Sequence, residues 1–194
     1  QLCLAQVSGD SEAWAVDALA PGIDLAPLLT MLNDPTLPKV FHAGRQDVEI
    51  FLHLSGKVPT PLFDTQIAAM VCGFGESVSY ETLVGKLVGA SLDKNSRFTD
   101  WRRRPLTDRQ LKYALEDVIH LRTVYERLSK DLEANGRTAW VSEEMAALAQ
   151  PSTYITEPEV AWKRLRLRST EPRFLQLVRN LAAWRECSAK SRDL

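Results

Sequence analysis

Tyr113 and Asp117 stand four residues apart in the run Thr107 to Asn135, TDRQLKYALEDVIHLRTVYERLSKDLEAN, whose apolar residues recur with a helical period. Residues at that spacing are neighbours on a helix surface. A carboxylate is a hard oxygen ligand for a divalent cation, and a phenol beside it can orient a water. The same pair also fits an ordinary helix flank, with a half-covered tyrosine and a solvated aspartate, and this helix alone leaves both readings open. Asp47 falls in the first turn of another helix, Arg45 to Ser55. Acidic residues are common there because they complement the helix dipole. The position also suits a metal ligand, since ligands gather outside the carboxyl ends of strands in open α/β sheets. His42 ends the strand before that helix and, taken alone, reads as a hydrogen-bonded residue at the edge of the core. Asp64 reads as a helix N-cap. The segment GASLDKNSRFTDWRRRP joins Lys94, Arg97 and Arg104 to Trp101. Cations beside an aromatic platform suit a single-stranded nucleic acid, and a solvated loop with Trp101 plugged into the core explains the composition equally well. His42 joins Lys94, Arg97, Trp101 and Arg104 as the candidate substrate contacts.

These residues need elements to hold them. Thr107 and Gln110 form a capping box at the start of the long run, and Gly136 ends it. One helix is therefore expected from Thr107 to Asn135, with Leu111, Ala114, Leu115, Val118, Leu121, Tyr125, Leu128 and Leu132 on its apolar face. Leu2 to Val7 and Ala13 to Leu19 read as a hairpin around the turn Ser8 to Ser11. Leu25 to Leu32 is a short helix with Asp24 as its cap. Val40 to His42 and Leu62-Phe63 are short strands, each followed by a helix. Tyr80 to Val88 and Thr138 to Ala149 are further helices. Hairpin strands followed by alternating strand and helix indicate an α/β layer fold with a mixed sheet flanked by helices. Past a boundary at Pro151, Glu157 to Leu167 and Pro172 to Arg192 read as two helices of an all-α segment. The expected division is 1–149 and 150–194.

The chain of 194 residues is 45% hydrophobic and 25% charged, the composition of a chain that builds a packed core. Its net charge of −1 is unevenly spread: residues 1–150 hold 15 Lys and Arg against 20 Asp and Glu, and residues 151–194 hold 9 against 5. A basic tail on an acidic body is compatible with nucleic acid binding, and Arg164, Arg166 and Arg168 form a candidate RNA-contacting stripe on it. Cys3, Cys72 and Cys187 are far apart and in no CxxC spacing. This argues against a zinc site or a disulfide framework and for a reducing compartment, the cytoplasm. No apolar run approaches the roughly 18 residues of a membrane span, so no membrane partner is expected.

Three segments in this order, FHAGRQDVEIF, PLFDTQIAAMVCGFG and LDKNSRFTDWRRRPLTDRQLKYALEDVIHL, resemble the ribonuclease D family. These are the tyrosine subclass of DEDD 3′→5′ exonucleases, with a ribonuclease-H-like fold. The tail segments EPEVAWKRLR and FLQLVRNLAAWRE resemble the start of the helical HRDC domain that follows the nuclease domain. The resemblance implies a 3′→5′ exoribonuclease that trims structured RNA such as tRNA precursors, acting as a monomer on single-stranded 3′ ends. It implies two divalent ions, Mg2+ or Mn2+, about 3.5–4 Å apart, one generating hydroxide and the other stabilising the leaving oxygen. Asp47 carries over as a metal-bridging acid, Asp117 as a metal ligand and Tyr113 as the residue that positions the attacking water.

The family's first motif, Asp-x-Glu on the first strand, is absent. Asp10-Ser11-Glu12 falls in the hairpin turn, and Asp47-Val48-Glu49 places its two acids on different sides of a helix. The motif is expected just upstream of Gln1, on a strand that pairs with Leu2 to Val7. The sequence then reads as a fragment with half its metal ligands and little or no activity by itself. The competing readings are a nucleic-acid-binding module without catalysis and a 3′→5′ exodeoxyribonuclease.

Overall fold

The long apolar run before Gly136 is not one helix. In the computed structural model, which describes residues 2–9, 12–92, 99–155 and 157–192, it forms α5 (Asp108–Ile119) and α6 (Leu121–Ala134), separated at His120 with φ −93° and ψ −8°. The capping box forms as expected. The Thr107 N–H donates to Gln110 Oε1 at 2.8 Å, and the Gln110 N–H donates to Thr107 Oγ1 at 3.3 Å. The break shifts the phase of the second half, so Val124, rather than Tyr125, is fully buried with Leu128 and Leu132.

The other elements precede and follow this pair. Strands β1 (Leu4–Ser8) and β2 (Ala13–Asp17) form the expected hairpin, antiparallel with Leu4 opposite Asp17. Helix α1 (Ala26–Leu32) follows, its first amide bonded to Asp24 Oδ1 at 2.8 Å. Strand β3 (Lys39–Phe41) leads into α2 (Arg45–Ser55), and β4 (Leu62–Asp64) leads directly into α3 (Thr65–Val71). β3 and β4 pair in parallel, with Phe41 opposite Asp64. Helix α4 (Tyr80–Leu83) continues as a single π-helical turn, Val84–Val88, so the helix expected over 80–88 changes its winding midway. Helix α7 (Thr138–Leu148) closes this part of the chain.

Antiparallel and parallel pairings are both present, as a mixed α/β fold requires. Among the described residues they stay as two separate two-stranded ladders, and no hydrogen bonds join β1 to β3. A groove of about 570 Å³ lies between them, lined by Gln6 to Gly9 on one side and Lys39 to Phe41 on the other, with Val118, Leu121 and Tyr125 also in its wall. The core lies on the helical side. Ala68 and Ala69 of α3, Leu83 and Val84, Val124, Leu128 and Leu132 of α6, and Val141 and Met145 of α7 form one buried cluster.

The chain divides into two compact units, Leu2–Gln150 and Pro151–Leu194. In the second, a 3-10 helix, Pro158–Arg164, packs on α8 (Pro172–Arg192), and the Arg179 guanidinium lies 4.5 Å from the centre of the Trp162 ring. The α-helix expected over 157–167 is thus a shorter and tighter one. Leu165 is already extended, in keeping with the alternation of Arg and Leu from Arg164 to Arg168. Of the three arginines in the expected stripe, only Arg164 lies within the helix.

Candidate active site

Asp64 organises one side of the site. It is 3% exposed, and its carboxylate does more than cap α3. Oδ1 accepts the Gln66 N–H at 2.8 Å and the Ala43 N–H at 3.1 Å, and Oδ2 accepts the Gly44 N–H at 2.8 Å. The turn out of β3 is thereby fastened to the end of β4. Ala43 holds φ 54°, a left-handed conformation that costs a non-glycine residue about 1–2 kcal/mol, and the Asp64 bond offsets part of that cost. Gly44 has no alternative on grounds of space, because a Cβ there would stand 2.4 Å from Phe41 Cβ. The turn sets where α2 begins and hence where Asp47 stands, in its first turn.

His42 belongs to the same turn. Its Nδ1 lies 3.0 Å from Thr65 Oγ1, and that hydroxyl donates to the Phe41 carbonyl at 3.0 Å. The ring packs on Tyr80 at 5.5 Å between centres. Loss of hydration holds the imidazole below its usual pKa, against the pull of Asp64. His42 is thus a hydrogen-bonded residue at the edge of the core.

Asp117 and Tyr113 lie on α5. The break after Ile119 places Asp117 in the last turn of that helix, where unpaired carbonyls concentrate negative charge. Its carboxyl is pushed up to about 6, first by lost hydration and then by the adjacent Glu116 carboxylate. Glu116, expected on the outer face, is only 19% exposed and lies 3.9 Å from Lys112 Nζ. Asp47 is raised in the same way, by lost hydration and then by the charge of Asp64. Both residues are exposed, so the neighbouring protein removes only part of their hydration. Neither forms an ion pair among the described residues. Desolvated carboxylates lacking a cation of the protein's own are the donor chemistry that a hard divalent ion takes. Two carboxylates are half of a four-acid set, and among the described residues no three His, Cys, Asp or Glu side chains gather closely enough to enclose an ion.

The aromatic platform is present in an unexpected role. The Trp101 ring stacks on the Tyr113 ring, centres 6.1 Å apart and planes 29° apart. Trp101 is in turn held by Arg104, whose Nη1 donates to the Trp101 carbonyl at 2.8 Å and to the Arg103 carbonyl at 3.1 Å. Arg104 Nε and Nη2 bond both oxygens of Asp17, and Nη2 also bonds the Cys3 carbonyl at 3.0 Å. All five guanidinium donors are therefore used within the protein, and none is left for a phosphate. Arg104 is thus tied to Trp101, Arg103, Cys3 and Asp17. Lys94 and Arg97 lie outside the described residues, as does Asp10.

Sequence reasoning missed Asp17, Gly44 and Tyr80. Asp17 meets its partner 87 residues away, which no local pattern reports. Tyr80 reads from sequence as one more residue at the start of an amphipathic helix.

A model of the 3′-5′ exonuclease family matches residues 1–133. The ribonuclease D of Gluconacetobacter diazotrophicus is 53% identical over 190 residues, which cover 98% of this chain and 48% of that protein. The crystal structure of Escherichia coli RNase D, described as an exoribonuclease involved in structured RNA processing, superposes with a TM-score of 0.89 at 36% identity, covering all of this chain and 52% of that one. Brucella melitensis NrnC superposes at 0.72 bound to pGG and at 0.71 with bound Mg2+, at 28% and 27% identity, over 88% of this chain and 82% and 83% of those chains. The chain spans about half the length of the curated relatives it matches. The family match runs through the β3–α2 turn and α5, the two places where the desolvated carboxylates stand, and the chain belongs to the 3′-5′ exonuclease family.

Proposed function

We propose that this chain is the larger part of the catalytic domain of a metal-dependent 3′→5′ exoribonuclease of the ribonuclease D type, acting on the 3′ ends of structured RNA such as tRNA precursors. The carrying observation is the placement of Asp47 in the first turn of α2 and of Asp117 on α5 one turn after Tyr113, neither carboxylate having an ion pair among the described residues. The RNA substrate rests on the ribonuclease D relatives and on the E. coli enzyme's part in structured RNA processing. NrnC with bound Mg2+ supports a divalent ion.

Bound divalent ions supply an activated water and neutralise charge on the phosphate under attack. Asp47 and Asp117 would hold them. The Tyr113 phenol orients the attacking water, and the Trp101 ring stacked on it fixes the phenol's direction. Two further acids come from a strand that lies in the groove between β1 and β3. A strand there would bond to both free edges at the usual spacing of about 4.8 Å and join the two ladders into one mixed sheet. An Asp-x-Glu on that strand completes the four-acid set. The unit from Pro151 onward is the start of an HRDC-like helical domain.

The test is digestion of single-stranded RNA by the full-length protein in Mg2+ or Mn2+. A 3′-labelled strand should release labelled mononucleotide at once, and a 5′-labelled strand should shorten one nucleotide at a time. Internal cuts, or no cleavage by the full-length protein, would remove the proposal.

A further inference from the structure

The break between α5 and α6 lies beside Asp117, and a side chain from α4 reaches it. In a continuous α-helix the Glu116 carbonyl would accept the His120 N–H. Here the helix ends at Ile119 and resumes at Leu121, and the His120 N–H turns to the Val118 carbonyl. The Tyr80 hydroxyl lies 3.5 Å from the Glu116 carbonyl oxygen, to which it donates. A side chain inserted into the backbone ladder is one of the few established causes of a helix break. Asp117 directly follows the residue whose carbonyl Tyr80 holds.

The other side of Tyr80 reaches the β3–α2 turn. Its ring packs on His42, and His42 is fixed by Thr65, next to the Asp64 that sets the start of α2. Ser79 Oγ accepts the Thr82 N–H at 3.2 Å and so anchors the start of α4. One side chain, held at its own helix terminus, thus touches the element that carries Asp117 and the turn that places Asp47.

We propose that Tyr80 is a positioning residue of the nuclease site: its hydroxyl, bonded to the Glu116 carbonyl that the His120 N–H leaves, ends α5 and fixes Asp117 relative to the Asp47 side. The proposal rests on the exonuclease reading above. Tyr80 touches neither RNA nor the reacting phosphate.

The test uses Tyr80→Phe in the full-length protein, which keeps the ring on His42 and removes only the hydroxyl. Three quantities are read: kcat and KM on 5′-labelled RNA, Mn2+ affinity of the metal-stripped protein by calorimetry, and melting temperature. The expected result is a kcat lower by about tenfold or more, weaker Mn2+ binding, unchanged KM and a nearly unchanged melting temperature. Unchanged kcat and Mn2+ affinity would overturn the proposal. So would losses that track a large fall in melting temperature and vanish on cooling, since these mark a purely structural residue. If the wild type binds Mn2+ but does not cleave, the exonuclease reading fails, and the Mn2+ comparison alone decides for or against Tyr80. A wild type that neither cleaves nor binds Mn2+ removes both.

Discussion

Arg104 and Asp17 form a two-point ion pair that joins the segment before α5 to the hairpin β1–β2, with Nε donating to Oδ2 at 2.7 Å. The same guanidinium holds the carbonyl of Trp101, and Trp101 stacks on Tyr113. The position of the phenol is therefore set from the opposite end of the sequence.

Arg104→Lys tests that chain of contacts. A lysine keeps the charge but cannot bond two carboxylate oxygens and three carbonyls together. The variant should bind RNA with near wild-type affinity, because Arg104 has no donor free for phosphate, while its kcat falls as Trp101 and Tyr113 loosen. Filter binding and single-turnover cleavage separate the two. A loss of RNA affinity with kcat intact would return Arg104 to the substrate contacts.

The pair also has a pH signature. The Arg104 guanidinium bonded to Asp17 holds that carboxyl below its usual range. A lowered folded pKa contributes stability that is present above the unfolded value of 3.8 and is lost as pH falls through the folded value. Asp17→Asn should lower the melting temperature at neutral pH, and the gap should narrow as pH drops below about 3.8.

Asp117 should behave in the opposite sense in the metal-free protein. Its carboxyl is raised to about 6 from 3.8, so the ionised form is disfavoured in the folded state. Its contribution to stability is greatest at low pH and declines as pH rises from 3.8 through about 6. Asp117→Asn should raise the melting temperature at pH above about 6 and have a diminishing effect toward 3.8. A divalent ion should abolish the advantage of the variant by stabilising only the wild type.

Asp64 predicts a graded series. Asp64→Ala leaves three backbone N–H groups without their acceptor and should cost about 3 kcal/mol or more in urea unfolding. Asp64→Asn keeps one oxygen, enough for Ala43 and Gln66, and should cost less. Equal losses in the two variants would show that the charge, and not the geometry of the turn, matters at this position.

The site was legible in the sequence to the extent that it is local. The capping box at Thr107, the i, i+4 pair Tyr113 and Asp117, and Asp47 in a first turn are patterns within a few residues. The α/β order of elements and the hairpin register follow from periodicity and turn residues. What spacing could not reveal is what closes from far away. The break at His120, where a tyrosine from far earlier in the chain bonds the Glu116 carbonyl, cannot be seen in a helix-period pattern that continues smoothly across it. The basic run before α5 signals charge, but only the fold shows that Arg104 spends its charge on Asp17. Asp64 was readable as a cap, while its hold on Ala43 and Gly44 needed the parallel pairing of β3 and β4.

The most direct measurement is single-turnover cleavage of 5′-labelled RNA by full-length protein carrying Asp117→Asn, set beside RNA binding by the same variant. If Asp117 holds the ion, stepwise shortening from the 3′ end should fall by about a thousandfold or more, the scale set by removing one group aimed at transition-state charge, while RNA binding stays intact and the variant still unfolds cooperatively. Cleavage at the wild-type rate would contradict the account and leave Tyr113 and Asp117 as ordinary residues on the flank of α5.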